Sequence, residues 1–279
     1  MMPAAKVEVV CPECRGLLDA QDDLVRCTLC HRTYPQSNAS YLDLLVHDRL
    51  AQEQTRWASR QSDMDGWYRE FIQNPPRAIA SLQQEYEPHA PTLATLTGDV
   101  LDIGGGAGIA RHYLRQAQHY VVLDPSVAWM SGDWRSLAGA FPCMQQAPRF
   151  IRGLGEQLPF HDASFDAALS LWAMNHVSDP EAVFKEAHRV LRPGARFVVI
   201  LEDMPKTWRD LADPDARPNG WVRATAAVVL RRIGLRRWPL QADHIPIAEW
   251  QISRWTKRRF MPSKRYWAGP YLTFEFAKM

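Results

Sequence analysis

The chain has 279 residues, of which 46% are hydrophobic and 23% are charged, a mixture typical of soluble globular proteins. No apolar run approaches the roughly 20 residues that cross a bilayer, and the first ten residues lack the apolar core of a secretory signal. These features exclude a membrane-spanning chain and predict a cytoplasmic protein with one large domain and a small module.

The net charge of +2 is unevenly distributed along the chain. Residues 1–203 contain 18 Lys and Arg against 25 Asp and Glu, whereas residues 204–279 contain 15 against 6. A basic C-terminal third indicates an anionic partner, substrate or membrane surface, or else a solvated face with internal ion pairs.

Four cysteines predict a metal site near the start of the chain. They form two Cys-x-x-Cys pairs, separated by twelve residues: Cys11 with Cys14, and Cys27 with Cys30. Four thiolates match the tetrahedral sulfur shell of structural Zn²⁺ and leave no open position for catalysis. Disulfides are the alternative, which a cytosolic compartment disfavours, and His31 is the alternative to Cys30 as the fourth ligand.

The residues after the cysteine pairs extend this module. An aromatic-proline pair, Tyr34-Pro35, is followed by the strand-like run YLDLL at 41–45. This order resembles the small zinc ribbons of some methyltransferases, and it is similar to the zinc-binding N-terminus of the 23S ribosomal RNA guanine-N1 methyltransferases. The resemblance implies a zinc ribbon over residues 1–46. Zinc ribbons bind RNA, bind proteins or cap a fold.

Residues 47–95 carry charged and aromatic residues at helical spacing. The prolines Pro75-Pro76 predict a boundary between two helices. We expect a helical linker, or a lid over the next domain, in which Trp67 and Tyr68 either cover the substrate or pack internally.

Residues 98–124 predict a strand, a glycine-rich loop, a helix and a second strand. The loop GGGAG at 104–108 follows Asp102, and the second strand ends at Asp124. The loop lacks the last glycine of G-x-G-x-x-G and the Lys-Ser/Thr of a P-loop, which argues against dinucleotides and nucleoside triphosphates as its ligands.

The pattern D-x-G-x-G-x-G resembles motif I of the class I S-adenosylmethionine (SAM) methyltransferases. The resemblance implies an α/β, Rossmann-like, seven-stranded fold with SAM as cofactor. Loop amides would bind the SAM carboxylate, and Asp102 would favour the ammonium and sulfonium charges. Asp124 would accept from the ribose hydroxyls, although Asp-Pro-Ser is also a common turn sequence.

Residues 155–166, GEQLPFHDASFD, resemble the A-E-x-L-P-F-x-D-x-S-F-D block of the ubiquinone/menaquinone-type methyltransferases. The resemblance extends from about 98 to 203 through an H-V-x-D-P loop and an L-R-P-G pattern. In that family the block lies along the adenine ring, often with an Asp where this chain has Leu154. The implied cofactor-binding residues are Asp102, Gly104, Gly105, Gly106, Asp124, Glu156, Gln157, Leu158 and Ser170.

His176 is the candidate catalytic base. It follows the fourth predicted strand, at the carboxyl edge of the sheet, and an imidazole titrates near neutrality. A role in packing or hydrogen bonding is the alternative, and His161 and Glu202 are weaker candidates.

The C-terminal part departs from the family pattern. An insertion at about 204–254 contains a helix-like stretch, 221–232, and the basic run 236–238. This helix would pack on the core as a lid, or rest on a membrane surface or a long apolar substrate. Residues 254–260 and 271–276 predict a closing antiparallel hairpin, whose basic and aromatic residues would face water or nucleic acid.

Together these features predict a SAM-dependent methyltransferase domain over residues 96–279. The expected reaction is O-, N- or C-methylation of a small molecule. An RNA base methyltransferase is the first alternative, favoured by the ribbon and the basic C-terminal third; the sequence AMNHV at 173–177 lacks the N/D-P-P-aromatic loop of many base methylases. A non-catalytic SAM-binding interaction protein is the second alternative.

Overall fold

A computed structural model describes residues 7–21, 24–35, 41–46, 73–126, 149–217, 220–233 and 244–279, together with residues 62, 65, 66 and 69. The predicted Trp67–Tyr68 pair and the basic run 236–238 lie outside these residues.

The N-terminal segment forms a small antiparallel sheet in the order β1-β2-β3. Its strands are β1 (Leu18–Gln21), β2 (Leu24–Cys27) and β3 (Thr33–Pro35). Cys11 and Cys14 precede β1, whereas Cys27 ends β2 and Cys30 lies in the turn that follows it.

A larger sheet of eight strands follows, in the spatial order β10-β11-β9-β8-β5-β6-β7-β4. The strands are β4 (Tyr41–Asp43), β5 (Thr97–Ile103), β6 (Gln116–Asp124), β7 (Arg149–Arg152), β8 (Phe165–Leu171), β9 (Leu191–Leu201), β10 (Phe260–Ala268) and β11 (Tyr271–Lys278). The strands from β4 to β9 are parallel, and β11 is antiparallel to both of its neighbours, β9 and β10. Chain order reverses between β5 and β8, where α/β sheets bind ligands.

The eighth strand is β4, which the sequence analysis places in the ribbon. Tyr41–Asp43 instead pairs in parallel with β7, in register with Phe150–Arg152. The Asp43 carboxylate accepts a hydrogen bond from Arg152 Nη1 at 2.9 Å, and this ion pair fixes the register. The apolar run predicts a strand, but nothing in it identifies the partner strand.

Five helices connect the described strands. They are α1 (Pro75–Tyr86), α2 (Ala90–Leu93), α3 (Pro180–Val190), α4 (Trp221–Arg232) and α5 (Glu249–Thr256). The helix α1 begins at the predicted proline boundary. The start of α3 is capped by the Asp179 carboxylate, which accepts from the Ala182 N–H at 3.1 Å.

Two predicted elements differ from the structure. The helix expected after the glycine loop is a single 3₁₀ turn, Ile109–His112, because β6 already begins at Gln116. The predicted first hairpin strand starts too early, since Arg254 and Trp255 belong to α5. The Trp255 ring packs against Phe184 at 5.7 Å between centroids, and this apolar contact favours the helix at that position.

The large sheet has an apolar core on each face. One core includes Phe160, Phe165 and Phe184, and Cys11 and Tyr34 of the small sheet are part of it. The other core packs α1 against the opposite face. Among the helices that the structure describes, none has both the length and the hydropathy needed to cross a membrane.

Candidate functional site

The glycine loop follows β5 and brings its backbone close to neighbouring side chains. Gly104, Gly106 and Gly108 have left-handed backbones, with φ of 75°, 52° and 78°. A Cβ on Gly105 would lie 2.5 Å from Asp102 Cγ, and a Cβ on Gly104 would lie 2.4 Å from Ala173 Cβ. Both distances are below van der Waals contact, so these positions require glycine.

Asp102 is fully buried beneath this loop. Its Oδ2 accepts a hydrogen bond from the Tyr120 hydroxyl at 2.5 Å, whereas its Oδ1 has no partner within the described part of the chain. Burial raises the pKa of Asp102 to about 7, against the Tyr120 hydrogen bond and with help from the nearby Asp124 charge. A buried carboxylate oxygen without a partner favours a cationic or hydrogen-bonding ligand.

Asp124 ends β6 and fastens the loop. Its Oδ2 accepts from the Gly106 N–H at 2.9 Å, and its Oδ1 accepts from the Ser126 N–H at 2.8 Å. Burial raises the pKa of Asp124 to about 6, although these two N–H groups oppose the shift. Each oxygen keeps a further lone pair for another donor. The structure therefore supports the turn role directly and leaves acceptor capacity for a ribose.

A residue of the segment 47–95 reaches this edge of the sheet. Asp65 Oδ1 accepts a hydrogen bond from Ser126 Oγ at 2.5 Å, beside Asp124. The contact places part of the predicted lid segment beside the glycine loop.

The block at 155–166 contains three residues predicted to bind the cofactor, and each of them has different surroundings. Glu156 Oε1 accepts from the N–H groups of Ser178 and Asp179, at 2.8 and 3.2 Å, and so holds the loop after β8. Gln157 Oε1 is buried without a partner among the described residues. Leu158 is buried in the core, and its N–H donates to Glu186, so its predicted cofactor contact receives no support from the geometry.

Ser170 lies on the other face of the sheet from Asp102. Asp102 is in register with Leu169 on the adjacent strand, so the two side chains share one face of the sheet. The next residue, Ser170, therefore points to the opposite face, where its hydroxyl is buried. Its cofactor contact stays a prediction that this arrangement does not favour.

Gly155 replaces the alanine of the family pattern for a steric reason. A Cβ there would lie 2.8 Å from Ile103 Cγ2 and 3.3 Å from Val183. The block consequently packs more closely on β5 and α3 than an alanine would allow.

The candidate base His176 lies in a group of three ligand-type side chains. Its Nε2 is 3.8 Å from Glu202 Oε2, and His244 Nε2 is 3.1 Å from the same oxygen. Burial alone would raise the pKa of Glu202, but the two imidazoles lower it. His161, a weaker candidate, lies elsewhere and contacts Glu8 at 3.4 Å.

The sequence analysis missed His244, which lies 68 residues beyond His176 in the insertion. Asn175 brings the two together, because its carbonyl accepts from the Ile245 N–H at 2.8 Å. No local motif marks this long-range contact.

An aromatic wall, also missed, borders the same edge of the sheet. The Trp172 ring contacts Tyr86, His89 and Tyr271, with centroid distances of 4.8, 5.8 and 5.5 Å. The backbone of Trp172 has φ 58°, a strained value for a residue with a large side chain. Strained backbone such as that of Trp172 is common at functional sites.

His89, which contacts the Trp172 ring, is neutral at physiological pH, because burial lowers its pKa to about 4.

The four cysteines converge on one point in the small sheet. Their Sγ atoms all lie within 4.8 Å of one another, with Cys11 and Cys30 separated by 3.7 Å and Cys14 and Cys27 by 3.4 Å. Zn–S bonds of about 2.3 Å place tetrahedral sulfurs about 3.8 Å apart, so the four thiols fit zinc. His31 is not part of the group, which favours Cys30 as the fourth ligand.

The two cysteine turns have the same backbone form. Arg15 and His31, each directly after a Cys-x-x-Cys, have left-handed backbones with φ of 62° and 60°. A Cβ on Gly16 would lie 2.8 Å from Cys27 Sγ. Close packing of this kind directs the thiols inward.

Residues 101–199 match the family described as "Methyltransferase domain". An uncharacterized methyltransferase of Mycobacterium sp. (strain JLS) is 34% identical over 140 residues, or 50% of this chain and 51% of the relative. A ubiquinone/menaquinone biosynthesis C-methyltransferase of Bartonella tribocorum is 36% identical over 118 residues, or 40% of this chain and 44% of the relative. The matched region thus spans about half the length of these curated relatives.

Among solved structures, the Burkholderia thailandensis 1,6-didemethyltoxoflavin-N1-methyltransferase, determined with its acceptor and S-adenosylhomocysteine, has a TM-score of 0.52. The match covers 94% of this chain and 99% of that chain at 15% sequence identity. At this identity the likeness concerns the fold, and the fold is that of the class I SAM-dependent methyltransferases.

Proposed function

We propose that this chain, which has the class I methyltransferase fold, transfers the methyl group of SAM to a small-molecule acceptor. The observation that carries the proposal is Asp102, a fully buried acid beneath a glycine loop, with one carboxylate oxygen unpaired among the described residues. An unsatisfied buried polar atom costs about 1–3 kcal/mol, which a bound cation or donor would offset.

Each cofactor-binding residue has a distinct task in this proposal. Asp102 attracts the positive methionine end of SAM, and the loop amides bind its carboxylate. Asp124 accepts from the ribose hydroxyls while it holds Gly106 in place. Gln157 offers its buried amide oxygen to the adenine side. Glu156 does not contact the cofactor in this proposal; it positions the loop 176–179 by accepting a hydrogen bond from the Ser178 N–H.

SAM supplies an electrophilic methyl carbon when it is bound. The chain then has to align the acceptor with that carbon and exclude water, and such positioning can supply much of the acceleration. The aromatic wall of Trp172, Tyr86 and Tyr271, whose rings meet edge to face, offers an apolar surface for an acceptor at the carboxyl edge.

A hydroxyl or protonated amine acceptor must also lose a proton. We propose His176 as the group that takes this proton, because its loop follows β8 and Glu202 lies 3.8 Å from its Nε2. The negative charge of Glu202 would stabilise the imidazolium that forms.

RNA is the second candidate acceptor. It is favoured by the convergent cysteines and by the 15 Lys and Arg of residues 204–279, which suit a polyanion. The protein should therefore be incubated with labelled SAM and either total RNA or a small-molecule extract.

Label in the small-molecule fraction supports the proposal. Label in RNA that added salt suppresses would replace it with the second candidate. A protein that binds SAM without transferring label to either pool would instead favour a non-catalytic SAM-binding role. The Asp102→Asn variant serves as a control for label that reaches the acceptor without the enzyme.

A further inference from the structure

Three side chains from separate segments meet at the carboxyl edge of the sheet. His176 follows β8, Glu202 follows β9, and His244 follows the insertion helix α4. We propose that these three residues bind a divalent transition-metal ion beside the acceptor. The presence of the ion stands independently of the proposed function, and only its chemical task rests on methyl transfer.

The distances among the three side chains suit a shared ion. His244 Nε2 and His176 Nε2 lie 3.1 and 3.8 Å from Glu202 Oε2, and one ligand atom from each residue lies within 4.8 Å of the others. Ligands bound at about 2.0–2.2 Å to one ion lie roughly 3–4 Å apart, so only small side-chain movements are needed.

Asn175 holds the three ligand-bearing segments together. Its carbonyl accepts from the Ile245 N–H at 2.8 Å, and its Nδ2 donates to the Ile245 carbonyl at 3.4 Å. Its Oδ1 accepts from the Glu202 N–H at 3.2 Å. With 1% of its surface exposed, Asn175 links the backbone beside all three residues and preorganises the site.

The donor set indicates the class of metal. Two imidazoles and one carboxylate suit zinc, iron, cobalt, nickel or manganese better than the oxygen-preferring magnesium or calcium. His244 is fully buried, and its Nδ1 lies 3.7 Å from Asp203 Oδ2. Carboxylates commonly occupy this position behind a metal-bound histidine, where they orient the ring.

The competing explanation is a metal-free ion-pair group. A half-buried Glu202 could instead pair directly with the two imidazoles, and His176 would then remain the proton acceptor. The two explanations differ in metal content, which can be measured without an assay of activity.

The ion would change how an oxygen acceptor is activated. A hydroxyl bound to a divalent ion has a lowered pKa and releases its proton to solvent. The oxygen then bonds to the methyl carbon while the carbon–sulfur bond breaks, leaving neutral S-adenosylhomocysteine. In the ion-bound form His176 is a ligand, and the ion replaces it as the group that activates the acceptor.

Cobalt(II) can test the site in the full-length protein. Thiolate-bound cobalt absorbs in the near ultraviolet, whereas cobalt on imidazole and carboxylate does not, so the cysteine site and the new site are distinguishable. We expect about two cobalt ions per chain, one at each site. The variants are Glu202→Gln and His244→Gln, with His161→Gln as matched control, because His161 pairs with Glu8 outside the group.

Glu202→Gln and His244→Gln should lower the affinity of the second site for cobalt by at least about tenfold. A loss of this size is typical even when only a residue behind a metal ligand is replaced. Both should keep the near-ultraviolet band, and His161→Gln should match the wild type. Unchanged cobalt content in Glu202→Gln would overturn the proposal, as would a single ion in the wild type that Cys30→Ser removes. Glu202→Gln is nearly isosteric and decides the question if His244→Gln fails to fold.

Calorimetry of SAM binding separates this proposal from the proposed function. A wild type that binds two cobalt ions but no SAM would refute methyl transfer and leave the metal site standing. A wild type that binds SAM and only the cysteine-bound cobalt would refute the metal site alone.

Discussion

Asp102 and Asp124 lie at the carboxyl ends of neighbouring strands, one residue before the end of β5 and at the end of β6, and both are buried, yet their surroundings differ. Asp124 receives two backbone N–H groups, whereas Asp102 receives one hydroxyl and keeps one oxygen without a partner among the described residues. Burial raises the pKa of both, to about 6 and about 7 respectively. Of these two acids, Asp102 is therefore the one whose ionisation a bound cation would increase most near neutral pH.

The affinity for SAM should rise with pH through the pKa of Asp102. Below pH 7 Asp102 is mostly protonated, so a cation that binds there must first displace the proton. Above pH 7 Asp102 is mostly ionised, and it attracts the cation without this cost. Calorimetry at pH 6 and pH 8 should show tighter binding at pH 8, by up to about tenfold per pH unit below the pKa.

The Asp102→Asn variant is the control for this pH dependence. It keeps the shape of the side chain and removes the titrating group, so its affinity should change less with pH. An equal pH dependence in the variant would show that another group, with Asp124 the first suspect, is responsible.

Replacing Asp124 by alanine should weaken SAM binding by at least about tenfold, the equivalent of one charge-assisted hydrogen bond. The change removes the predicted ribose acceptor and frees the Gly106 N–H from its partner. Calorimetry measures the loss. Asp162→Ala is the matched control, because that acid is exposed and pairs with Arg189 away from the loop. Equal affinity in both variants would contradict the cofactor role of Asp124.

At the scale of elements, the glycine loop works because β5 and β6 end side by side. The Gly104 N–H donates to the Leu123 carbonyl at 2.7 Å, which turns the chain sharply at the end of β5. The 3₁₀ turn that follows spans only Ile109–His112, so the loop amides, more than a long helix, would meet an anionic group.

Gly105→Ala tests the close approach in this loop. The new methyl would lie 2.5 Å from Asp102 Cγ, so either the loop or the carboxylate must move. We expect SAM affinity to fall at least about tenfold and stability to fall by about 1–3 kcal/mol, the usual penalty of overpacking. Calorimetry and urea unfolding measure the two effects.

Gly66→Ala is the control for this substitution, because a Cβ there would meet none of the described residues within 4 Å. If Gly105→Ala has the same SAM affinity and stability as Gly66→Ala, the loop can accept a methyl group at position 105, and the steric requirement for glycine there is wrong.

Elements marked by a strong local pattern could be predicted from the sequence. The strands that end at Asp124 and Leu171 each contain a short apolar run, YVVL and AAL, and α3 has an apolar stripe with a capping aspartate. The residues 254–260 could not, because basic and aromatic residues suit either a helix or a strand. There the contact of Trp255 with Phe184 favours the helix, and that contact is remote in sequence.

At the scale of the whole molecule, the small sheet is attached firmly to the large one. The Val10 N–H donates to the Pro159 carbonyl at 2.9 Å, and Arg149 Nη1 donates to the Val7 carbonyl at 2.6 Å. Cys11 and Tyr34 share an apolar core with Phe160. The small sheet and the large sheet are therefore expected to unfold together.

Removing the metal from the cysteine site should destabilise the whole chain. A strong chelator should lower the melting temperature by at least about 10 °C in one transition, since each kcal/mol corresponds to roughly 2–4 °C at this size. Calorimetric melting checks this prediction. Cys14→Ser should melt low with or without chelator, whereas His161→Gln, which lies outside both proposed metal sites, should respond like the wild type. A separate early transition would indicate that the small sheet unfolds alone.

Long-range contacts set the limit of sequence reasoning for this site. The glycine loop and both acids lie within 27 residues and follow a known pattern, so they could be identified directly. The meeting of His176 with His244 depends on hydrogen bonds between Asn175 and Ile245, which are 70 residues apart. The predicted cofactor contact of Ser170 stays a prediction, because its place in the sequence pattern does not reveal which face of β8 it occupies.

The pairing of β4 with β7 has a consequence for any shortened form of the protein. A chain cut at residue 47 would lose Tyr41–Asp43 and uncover the outer backbone of Arg149–Arg152. Exposed N–H and C=O groups along a sheet border recruit strands from other molecules, which leads to self-association and precipitation. The N-terminal module thus also covers the border of β7 in the large sheet.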